Sequence, residues 1–505
     1  MAELENSDPT PSDPRRAFVP KQLDKTVIAI PLLDDLNQER QRQEAAAAAG
    51  ATYEPELWSI VVDINLEHPT GRDGARDSAQ ALILAVIEES PGEREQFHEV
   101  KSRYSNQYLF ARLEGESIRE IVRRNETAGR PIFRIWPDFE IRPLINVSLS
   151  TVKADAARVS FSALGKDIVW AVLDSGIDPD HPHFKAHDNV LRDGPLKPLD
   201  FTYDNDPLRD DFGHGTHVAG IIAGELKGTK AKPIHAVTRY RDENGAIVHQ
   251  LDTVDAMTGM APQCKLLSLK VLDGKGNGQA SNLIAALHHI QKLNGYGRRL
   301  LVQGVNMSVG YSFEPEWFAC GQSPLCVEVE QLVRSGVVVV VAAGNTGYGY
   351  NETEFTGPTA AGLNVTINDP GNADLAITVG STHRQMPHTY GVSYFSSKGP
   401  TGDGRLKPDL VAPGEKILSA AAGTRRASAA ANVDGDPDYV EDSGTSMAAP
   451  HVSGVIAAFL SVRREFIGRP ERVKEIFLST ATDLNRDRHF QGRGLVDVMR
   501  AIQSI

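Results

Sequence analysis

Apolar runs that alternate with helical segments constrain the fold of this chain more than any other feature. Strands that are apolar along their whole length suit a parallel sheet that is buried on both faces. Segments rich in helix formers separate the runs, for example at 281–293 and 327–335. The pattern therefore predicts an α/β domain over residues 148–505, built on a doubly wound, mostly parallel sheet. The runs lie at residues 168–173, 266–272, 301–307, 337–343 and 376–379.

A smaller unit with a different pattern precedes this domain, over residues 55–147. Apolar spacing there predicts the order β-α-β-β-α-β, the split βαβ arrangement of a small ferredoxin-like α+β fold. We expect its two middle strands at 97–104 and 108–113, where they would form a hairpin pair. Ser117 and Glu120 have the spacing of a capping box, which predicts that the second helix begins there.

The first part of the chain, residues 1–54, is expected to be an extension that is partly disordered or helical. It starts with a polar, proline-rich stretch of the kind that stays mobile. Residues 36–49 combine strong helix formers with little apolar periodicity, which predicts a solvent-exposed helix, with a linker as the alternative. A chain of 505 residues exceeds what one hydrophobic core usually organises, so more than one domain is expected.

Net charge and composition exclude several classes of function. The formal net charge of -13 disfavours general nucleic-acid binding, which needs a basic surface. No run of about 18 apolar residues is present, so no membrane span is predicted. The N-terminus lacks a basic start followed by an apolar core, and three cysteines are too few for a disulfide scaffold. We therefore expect a cytoplasmic protein, with secretion by another route as the alternative.

Three short segments carry an acid, an imidazole and a hydroxyl in settings that suit catalysis. Asp174 follows the first apolar run, and open α/β sheets place their sites at the carboxyl ends of the strands. His214 stands between two glycines at the start of an apolar helix. Ser446 opens another apolar helix, in which Pro450 is acceptable because it falls in the first turn. We expect these three side chains to meet at one edge of the sheet.

The chemistry of these side chains is that of an activated hydroxyl. A serine hydroxyl is a weak nucleophile at neutral pH and needs a base within hydrogen-bond reach, a role that suits His214. Asp174 would hold the imidazole in the required tautomer and stabilise its cation. Asn345 follows the run at 337–343, so its amide would lie beside the N–H of Ser446 as a donor to an oxyanion.

Each of these residues taken alone has an ordinary structural explanation. An Asp after a strand is usually a turn residue, and a Gly-Thr-Ser before a helix is usually a cap, so only the combination indicates catalysis. His217 follows His214 closely, but the segment lacks the Glu of a zinc-binding helix, and we expect a structural hydrogen bond. The acidic segment 204–211 is expected to be a solvated loop, and a structural calcium ion is the alternative.

The segments around Asp174, His214 and Ser446, in that chain order, resemble those of the subtilisin-like serine proteases, the subtilase family. Asn345 and several further segments strengthen the resemblance, which extends over about 152–460. It implies a hydrolase, namely a serine endopeptidase that cuts peptide bonds through an acyl-enzyme on Ser446 and requires no cofactor for the chemistry. The further segments are 259–262, 269–272, 276–279, 308–310, 395–400 and 407–414.

The resemblance also implies where a polypeptide substrate binds. The substrate would lie as an added strand in the cleft, with side-chain pockets that give preference. No metal ligands are assigned. The residues implied for substrate binding are Gly276, Asn277 and Gly278 on one edge, Ser308, Val309 and Gly310 on the opposite wall, and Ala342, Ala343 and Gly344 at the pocket for the residue before the scissile bond.

By the same resemblance, the unit at 55–147 is similar to the propeptide of the family, an intramolecular inhibitor and folding aid that is cut from a zymogen. Two alternatives to an endopeptidase stay open: a tripeptidyl-type aminopeptidase of the same superfamily, and a catalytically silent scaffold that binds peptides or a partner. Three insertions, at 225–255, 348–368 and 421–441, would rim the cleft, and the sequence leaves their role open.

Overall fold

The computed structural model describes residues 27–48, 50, 53–90, 94–103, 105–138, 147–202, 204, 206–229, 231–241, 246–313, 319–353 and 357–505. The chain divides into two compact units, Met1–Pro143 and Leu144–Ile505, which are described one at a time. The first 26 residues of the predicted extension lie outside the described residues.

The N-terminal unit contains a four-stranded antiparallel sheet with the strand order β2-β3-β1-β4. Strands β1 and β4 are neighbours although helices and two further strands separate them along the chain, which is the ferredoxin-like topology that the sequence predicts. The elements are α1 (Ile30–Ala48), β1 (Leu57–Ile64), α2 (Gly71–Glu89), β2 (Gln96–Phe97), α3 (Glu99–Arg103), β3 (Tyr108–Glu114), α4 (Gly115–Thr127) and β4 (Ile132–Pro137).

The core of this unit follows from the two periodicities of its sequence. Along β3, Leu109, Ala111 and Leu113 are buried and alternate with residues that face outward, as the pleat of a strand requires. Along α2, Ala79, Leu82, Ile83 and Val86 are buried and recur at helical spacing. The apolar face of the sheet and the apolar stripes of the helices therefore form one common core.

Two details of the N-terminal unit differ from the sequence-based prediction. The strand predicted at 97–104 is wrong, because β2 ends at Phe97 and the next residues form α3. The capping box is wrong as well: the second long helix begins at Gly115, its N-cap is Glu114, and no side-chain hydrogen bond caps it.

Helix α1 begins at Ile30, before the predicted helix, and its first turn packs into the core of the unit; over residues 36–48 the prediction of a solvent-exposed helix is confirmed except at Leu36 and Glu39. Leu32 and Leu36 are fully buried in the core of the unit, whereas its second half is largely exposed. The buried carboxylate of Glu39 accepts hydrogen bonds from the N–H of Glu56, at 2.8 Å, and from the indole N–H of Trp58, at 2.9 Å. These bonds fix α1 to the start of β1.

The C-terminal unit is organised by a seven-stranded sheet in which all neighbouring strands are parallel. Its order is β17-β16-β13-β12-β5-β11-β6, and the chain winds from the centre toward both edges, which confirms the predicted doubly wound α/β fold. The strands of the unit are β5 (Val169–Asp174), β6 (Leu199–Asp200), β7 (Glu225–Lys227), β8 (Ile234–Arg241), β9 (Ile247–Val254), β10 (Ala256–Thr258), β11 (Lys265–Lys270), β12 (Gly304–Met307), β13 (Val338–Ala342), β14 (Tyr348–Thr353), β15 (Gly357–Gly362), β16 (Ile377–His383), β17 (Leu410–Glu415), β18 (Ile417–Ala420) and β19 (Tyr439–Asp442).

Helices cover both faces of this sheet. Along β5, Trp170 and Val172 belong to one hydrophobic core and Ala171 and Leu173 to the other, since successive side chains point to opposite faces. The helices are α5 (Val147–Thr151), α6 (Ala154–Phe161), α7 (Pro182–Lys185), α8 (His214–Ile222), α9 (Ala280–Leu293), α10 (Pro324–Arg334), α11 (Pro387–Tyr390), α12 (Gly423–Ala430), α13 (Thr445–Val462), α14 (Pro470–Thr480), α15 (Arg488–Gln491) and α16 (Val498–Gln503).

Helix α13 is the central helix of the larger core. By length and hydropathy it would suit a membrane span, but 83% of it is buried inside the unit, as is usual for a core helix. With α8 it covers one face of the sheet, while α9 and α10 cover the other. The helix that begins beside Ser446 is therefore held rigidly by packing along its length.

The inserted segments form structure of their own. Strands β8 and β9 pair as an antiparallel hairpin and join β18 and β19 in a four-stranded sheet with the order β18-β19-β8-β9. Within it, Tyr439 and Val440 of β19 pair in parallel with Ala236 and Val237 of β8. The insertion at 225–255 is thus fixed to the strand that leads into the Ser446 segment.

Candidate active site

The three predicted catalytic residues lie at the carboxyl edge of the large sheet and at the start of two core helices. Asp174 is the last residue of β5, and His214 is the first residue of α8. Ser446 lies in the first turn of α13, which begins at Thr445. Parallel strands end at a common edge, so elements that are distant in sequence can bring their side chains together there.

Asp174 and His214 form a buried hydrogen-bonded pair. The Nδ1 atom of His214 donates to Oδ1 of Asp174 at 2.7 Å, and the same oxygen accepts from the N–H of Ser175 at 2.8 Å. Asp174 is 1% exposed and His214 is 7% exposed. Because Nδ1 carries the proton that Asp174 binds, Nε2 of the neutral ring is left as the proton acceptor.

Asp210 positions the turn that delivers His214. Its buried carboxylate accepts from the Ser175 hydroxyl at 2.8 Å, from the N–H of Gly213 at 2.7 Å, and from both the N–H and the hydroxyl of Thr216, at 2.8 and 2.7 Å. Burial raises the pKa of Asp210, while the bonds to Thr216 lower it. Sequence reasoning placed this residue only within an acidic loop.

Gly213, which precedes His214, has a backbone conformation that requires glycine. Its φ is 85°, and a Cβ atom at this position would lie 2.1 Å from the carbonyl oxygen of Ala422. A left-handed conformation and a close backbone approach together exclude a larger side chain. The glycine before His214 is therefore a packing requirement.

The hydroxyl of Ser446 lies in the same cavity as His214 but is turned away from it. Its Oγ donates to the carbonyl oxygen of Ser308 at 2.9 Å, and within the part of the chain that the structure describes it makes no hydrogen bond to His214. Serine side chains move between staggered rotamers about one bond, and catalytic hydrogen bonds often form only with substrate present. A hydrogen bond from Ser446 to His214 would therefore require rotation of the serine side chain.

Asn345 is oriented as a hydrogen-bond donor toward the cavity. Its Oδ1 accepts from the N–H of Thr445 at 2.9 Å and from the Thr445 hydroxyl at 3.0 Å, which leaves Nδ2 free to donate. The N–H of Ser446 lies in the first turn of α13, where backbone N–H groups have no partner within the helix. Two donors thus border the place where a substrate carbonyl oxygen would develop charge.

Asn306 is a buried residue that holds the wall opposite the nucleophile. Its Nδ2 donates to the hydroxyl of Ser308 at 2.9 Å, and its Oδ1 accepts from the hydroxyl of Ser453 on α13, also at 2.9 Å. The Ser308 hydroxyl in turn donates to the carbonyl oxygen of Ser446 at 2.9 Å. This chain fixes the end of β12 to the start of α13, and sequence reasoning missed it.

A cavity of about 620 Å³ is lined by His214, Asn345 and Ser446 together with most of the predicted substrate-binding residues, whereas Asp174 does not line it. Ala343 is the exception and does not line it: the residue is fully buried, and its N–H donates to the Val379 carbonyl within the sheet. Residues that sequence reasoning did not name are Phe212, Leu272, Thr346, Asn368, Arg425 and Thr445. The predicted residues that line the cavity are His214, Gly276, Asn277, Gly278, Ser308, Val309, Gly310, Ala342, Gly344, Asn345 and Ser446.

His217 and the acidic segment are occupied by protein contacts. The Nε2 atom of His217 donates to the carbonyl oxygen of Val440 at 3.1 Å, and burial lowers the pKa of its ring to about 3. Asp204 lies 3.1 Å from the buried ammonium group of Lys270. Among the described residues, no group of three or more His, Cys, Asp or Glu side chains is arranged to hold a metal ion.

Comparisons with known proteins agree on one family. The model of the subtilase family, Peptidase_S8, matches residues 165–494. Pyrolysin of Pyrococcus furiosus is 32% identical over 321 residues, which cover 58% of this chain and 21% of pyrolysin, so the chain spans about a fifth of that relative. The major intracellular serine protease of Bacillus subtilis is 32% identical over 319 residues, which cover 62% of this chain and 74% of the relative. Serine protease AprX of Bacillus subtilis is 28% identical over 385 residues, 74% of each chain.

Proposed function

We propose that this chain, which belongs to the subtilase family of serine proteases, is an endopeptidase with Asp174, His214 and Ser446 as its catalytic triad. The observation that carries the proposal is the buried 2.7 Å hydrogen bond between Asp174 and His214, in a cleft that also holds the Ser446 hydroxyl. Enzymes of the family need no cofactor for the chemistry. Polypeptides are the substrates that a protease of this family acts on.

The reaction begins with rotation of the Ser446 side chain. The hydroxyl leaves the Ser308 carbonyl and donates to Nε2 of His214, which takes the proton as Oγ attacks the carbonyl carbon of the scissile bond. Asp174 stabilises the imidazolium that forms. The negative charge on the former carbonyl oxygen is bound by the N–H of Ser446 and by Nδ2 of Asn345.

Collapse of this intermediate cleaves the peptide bond. His214 gives the proton to the leaving amine, and the substrate acyl group stays on Oγ of Ser446 as an ester. A water molecule then gives a proton to His214 and attacks the ester, and the same two donors bind the second oxyanion. Return of the proton to Oγ releases the new carboxyl end and restores the enzyme.

We also propose that the unit with the ferredoxin-like topology is an intramolecular inhibitor and that the protein is made as a zymogen. The βαββαβ order of its elements supports this role, together with its place immediately before the protease unit. A cytoplasmic location stays a prediction; the three cysteines are free in the structure, as they would be in a reducing compartment.

The products of digestion test the proposed activity. A denatured protein incubated with the enzyme should yield internal peptides of many lengths, and a Ser446→Ala variant should yield none. A uniform series of tripeptides from the N-terminus of the substrate would instead indicate a tripeptidyl-type aminopeptidase. Binding of peptides without any cleavage, by wild type and variant alike, would indicate a silent scaffold.

A further inference from the structure

Two of the insertions meet in a pocket beside the catalytic cavity. This pocket, which we call the insertion pocket, has a volume of about 240 Å³, and its walls come from the β8–β9 hairpin, from α12 and from β19. The hairpin belongs to the insertion at 225–255, and α12 to the one at 421–441. The insertion pocket is therefore formed by two of the segments that the sequence predicts to be insertions.

Arg425 of α12 lines both the insertion pocket and the catalytic cavity. Its guanidinium carbon lies 5.3 Å from the centre of the Phe212 ring, and that ring lies 6.2 Å from the ring of His214. The side chain is 25% exposed. A cation is thus held at the border of the cleft, one aromatic ring away from the catalytic base.

The insertion pocket carries more positive than negative charge. Arg425 and Arg239 share one carboxylate, that of Asp442: Arg425 pairs with it directly, and Arg239 lies 3.8 Å from it. The other acid of the lining, Glu441, is 4% exposed and lies 3.5 Å from a third arginine, Arg384, so three guanidinium groups surround two carboxylates. Asp174, which also attracts Arg425, is committed to His214.

The guanidinium groups have donors that the protein does not use. The Nε atom of Arg425 is buried and has no hydrogen-bond partner among the described residues, so a substrate would contact the exposed part of the guanidinium group. Arg239 donates one N–H to the carbonyl oxygen of Glu441, at 2.9 Å. An arginine side chain has five N–H donors. A planar carboxylate is the group whose two oxygens match such a fork of donors.

We propose that Arg425, supported by Arg239, is a specificity-determining residue that binds the carboxylate of an acidic substrate residue close to the scissile bond. The site would give the protease a preference for Asp or Glu within two positions of the cleaved bond. This inference rests on the proposed endopeptidase function, because the acidic residue reaches Arg425 only when a polypeptide occupies the cleft. Helix α12, which carries Arg425, would then contribute to the choice of substrate.

Matched peptides test the proposal. In a fluorogenic peptide that the wild type cleaves, Glu and Gln are compared at each of the two positions on either side of the bond. At one position the wild type should favour Glu over Gln by roughly tenfold in kcat/KM, the factor expected of one hydrogen bond to a charged group. The Arg425→Gln variant should bring that ratio close to one, and Arg425→Glu should invert it.

Arg426 supplies the control on the same helix. It faces away from the cleft and pairs with Asp436, at 2.9 and 2.7 Å, so Arg426→Gln should leave the Glu-to-Gln ratio unchanged. If Arg425→Gln lowers the melting temperature too far for assay, Arg239→Gln should reduce the ratio in the same direction. Added salt should reduce the ratio in the wild type, because it screens a partly exposed charge pair.

Two results would overturn the proposal. One is a wild-type Glu-to-Gln ratio of kcat/KM near one at all four peptide positions. The other is a preference for Glu that persists in both the Arg425→Gln and the Arg239→Gln variants. Failure of the endopeptidase function looks different, since the wild type would then cleave neither the Glu peptide nor the Gln peptide.

Discussion

The hydroxyl of Ser446 donates to the carbonyl oxygen of Ser308, 2.9 Å away, and not to the imidazole of His214. The carbonyl holds the nucleophile at the wall of the cleft, while His214 is held separately by Asp174. The hydroxyl and the imidazole are therefore held by different partners.

Removal of the Asp174 carboxylate should abolish most of the activity without unfolding the protein. In Asp174→Asn the amide can offer its NH₂ group to Nδ1 and so favour the wrong tautomer of His214. We expect kcat to fall by roughly 10⁴-fold, as for the same change in another triad enzyme, with little change in KM. Steady-state kinetics on one peptide checks this, and a loss confined to KM would contradict the role given to Asp174.

Asn345 should act mainly on the transition state. Replacing it with Ala removes the Nδ2 donor, and kcat should fall on the order of 10²–10³-fold, a magnitude that comes from the corresponding change in subtilisin itself. Thr445→Val removes one of the two bonds that orient the amide and should give a smaller loss, which Thr445→Ser should restore. Equal activity of the wild type and the Asn345→Ala variant would show that Asn345 does not stabilise the transition state.

Asp210 should be important for stability as well as for the position of His214. Its carboxylate accepts four hydrogen bonds in a buried site, and the amide of Asp210→Asn cannot accept them all. Each donor left unpaired costs about 1–3 kcal/mol in the free energy of unfolding. The loss in the free energy of unfolding is measured by denaturation of the Asp210→Asn variant and of its parent. Both proteins carry Ser446→Ala, which prevents self-digestion.

Asp211 provides the control for this experiment. It is adjacent in sequence, its side chain is 48% exposed, and it pairs with Arg209 at the surface. Because exposed ion pairs contribute little, Asp211→Asn should change the free energy of unfolding by less than about 1 kcal/mol. Similar losses in the two variants would contradict the special role of Asp210.

His451 should make the protein sensitive to acid. Burial lowers the pKa of its ring to about 4, against about 6.5 in an unfolded chain. Below pH 6.5 the unfolded state therefore binds a proton that the folded state does not, so stability falls as the pH drops toward 4. His451→Gln should make this dependence less steep between pH 6.5 and 4, as measured by denaturation at a series of pH values, while His217, whose pKa burial also lowers, keeps part of it. Parallel curves for the two proteins would refute the prediction.

Self-processing should reveal whether the N-terminal unit is a propeptide. Wild-type protein should shorten during expression by cleavage near the start of the protease unit, and the Ser446→Ala variant should stay at full length. Intact mass and N-terminal sequencing report both outcomes. Wild type that stays at full length and still digests protein would make the unit a permanent accessory domain.

The places of Asp174, His214 and Ser446 in the fold could be predicted from the sequence because each stands at a position that local patterns define. Asp174 follows an apolar strand, and His214 and Ser446 open apolar helices, so the parallel sheet alone brings them to one edge. The family motifs added Asn345. The prediction for Ala343 was less accurate, because a strand residue and its neighbour face opposite ways and the sequence does not fix which one faces the cleft.

Other features depend on packing between segments that are distant in sequence. Arg425 lines the cleft because its side chain lies against Phe212. No local sequence pattern predicts this contact. Asn306 resembled an ordinary strand residue, although it joins β12 to α13. Helix α1 lacked clear apolar periodicity, and the sequence pattern missed its first turn, where Leu32 is buried in the core of the unit. Local propensity is a weak guide where tertiary contacts decide.

Covalent labelling of the nucleophile tests the central claim most directly. A fluorophosphonate reagent should modify wild-type protein at Ser446, as mapped by mass spectrometry of its peptides. Labelling should vanish in Ser446→Ala and drop sharply in His214→Ala, which keeps the hydroxyl but loses its base. Modification at the same rate in wild type and His214→Ala would contradict the account, because the imidazole would then play no part in activating the serine.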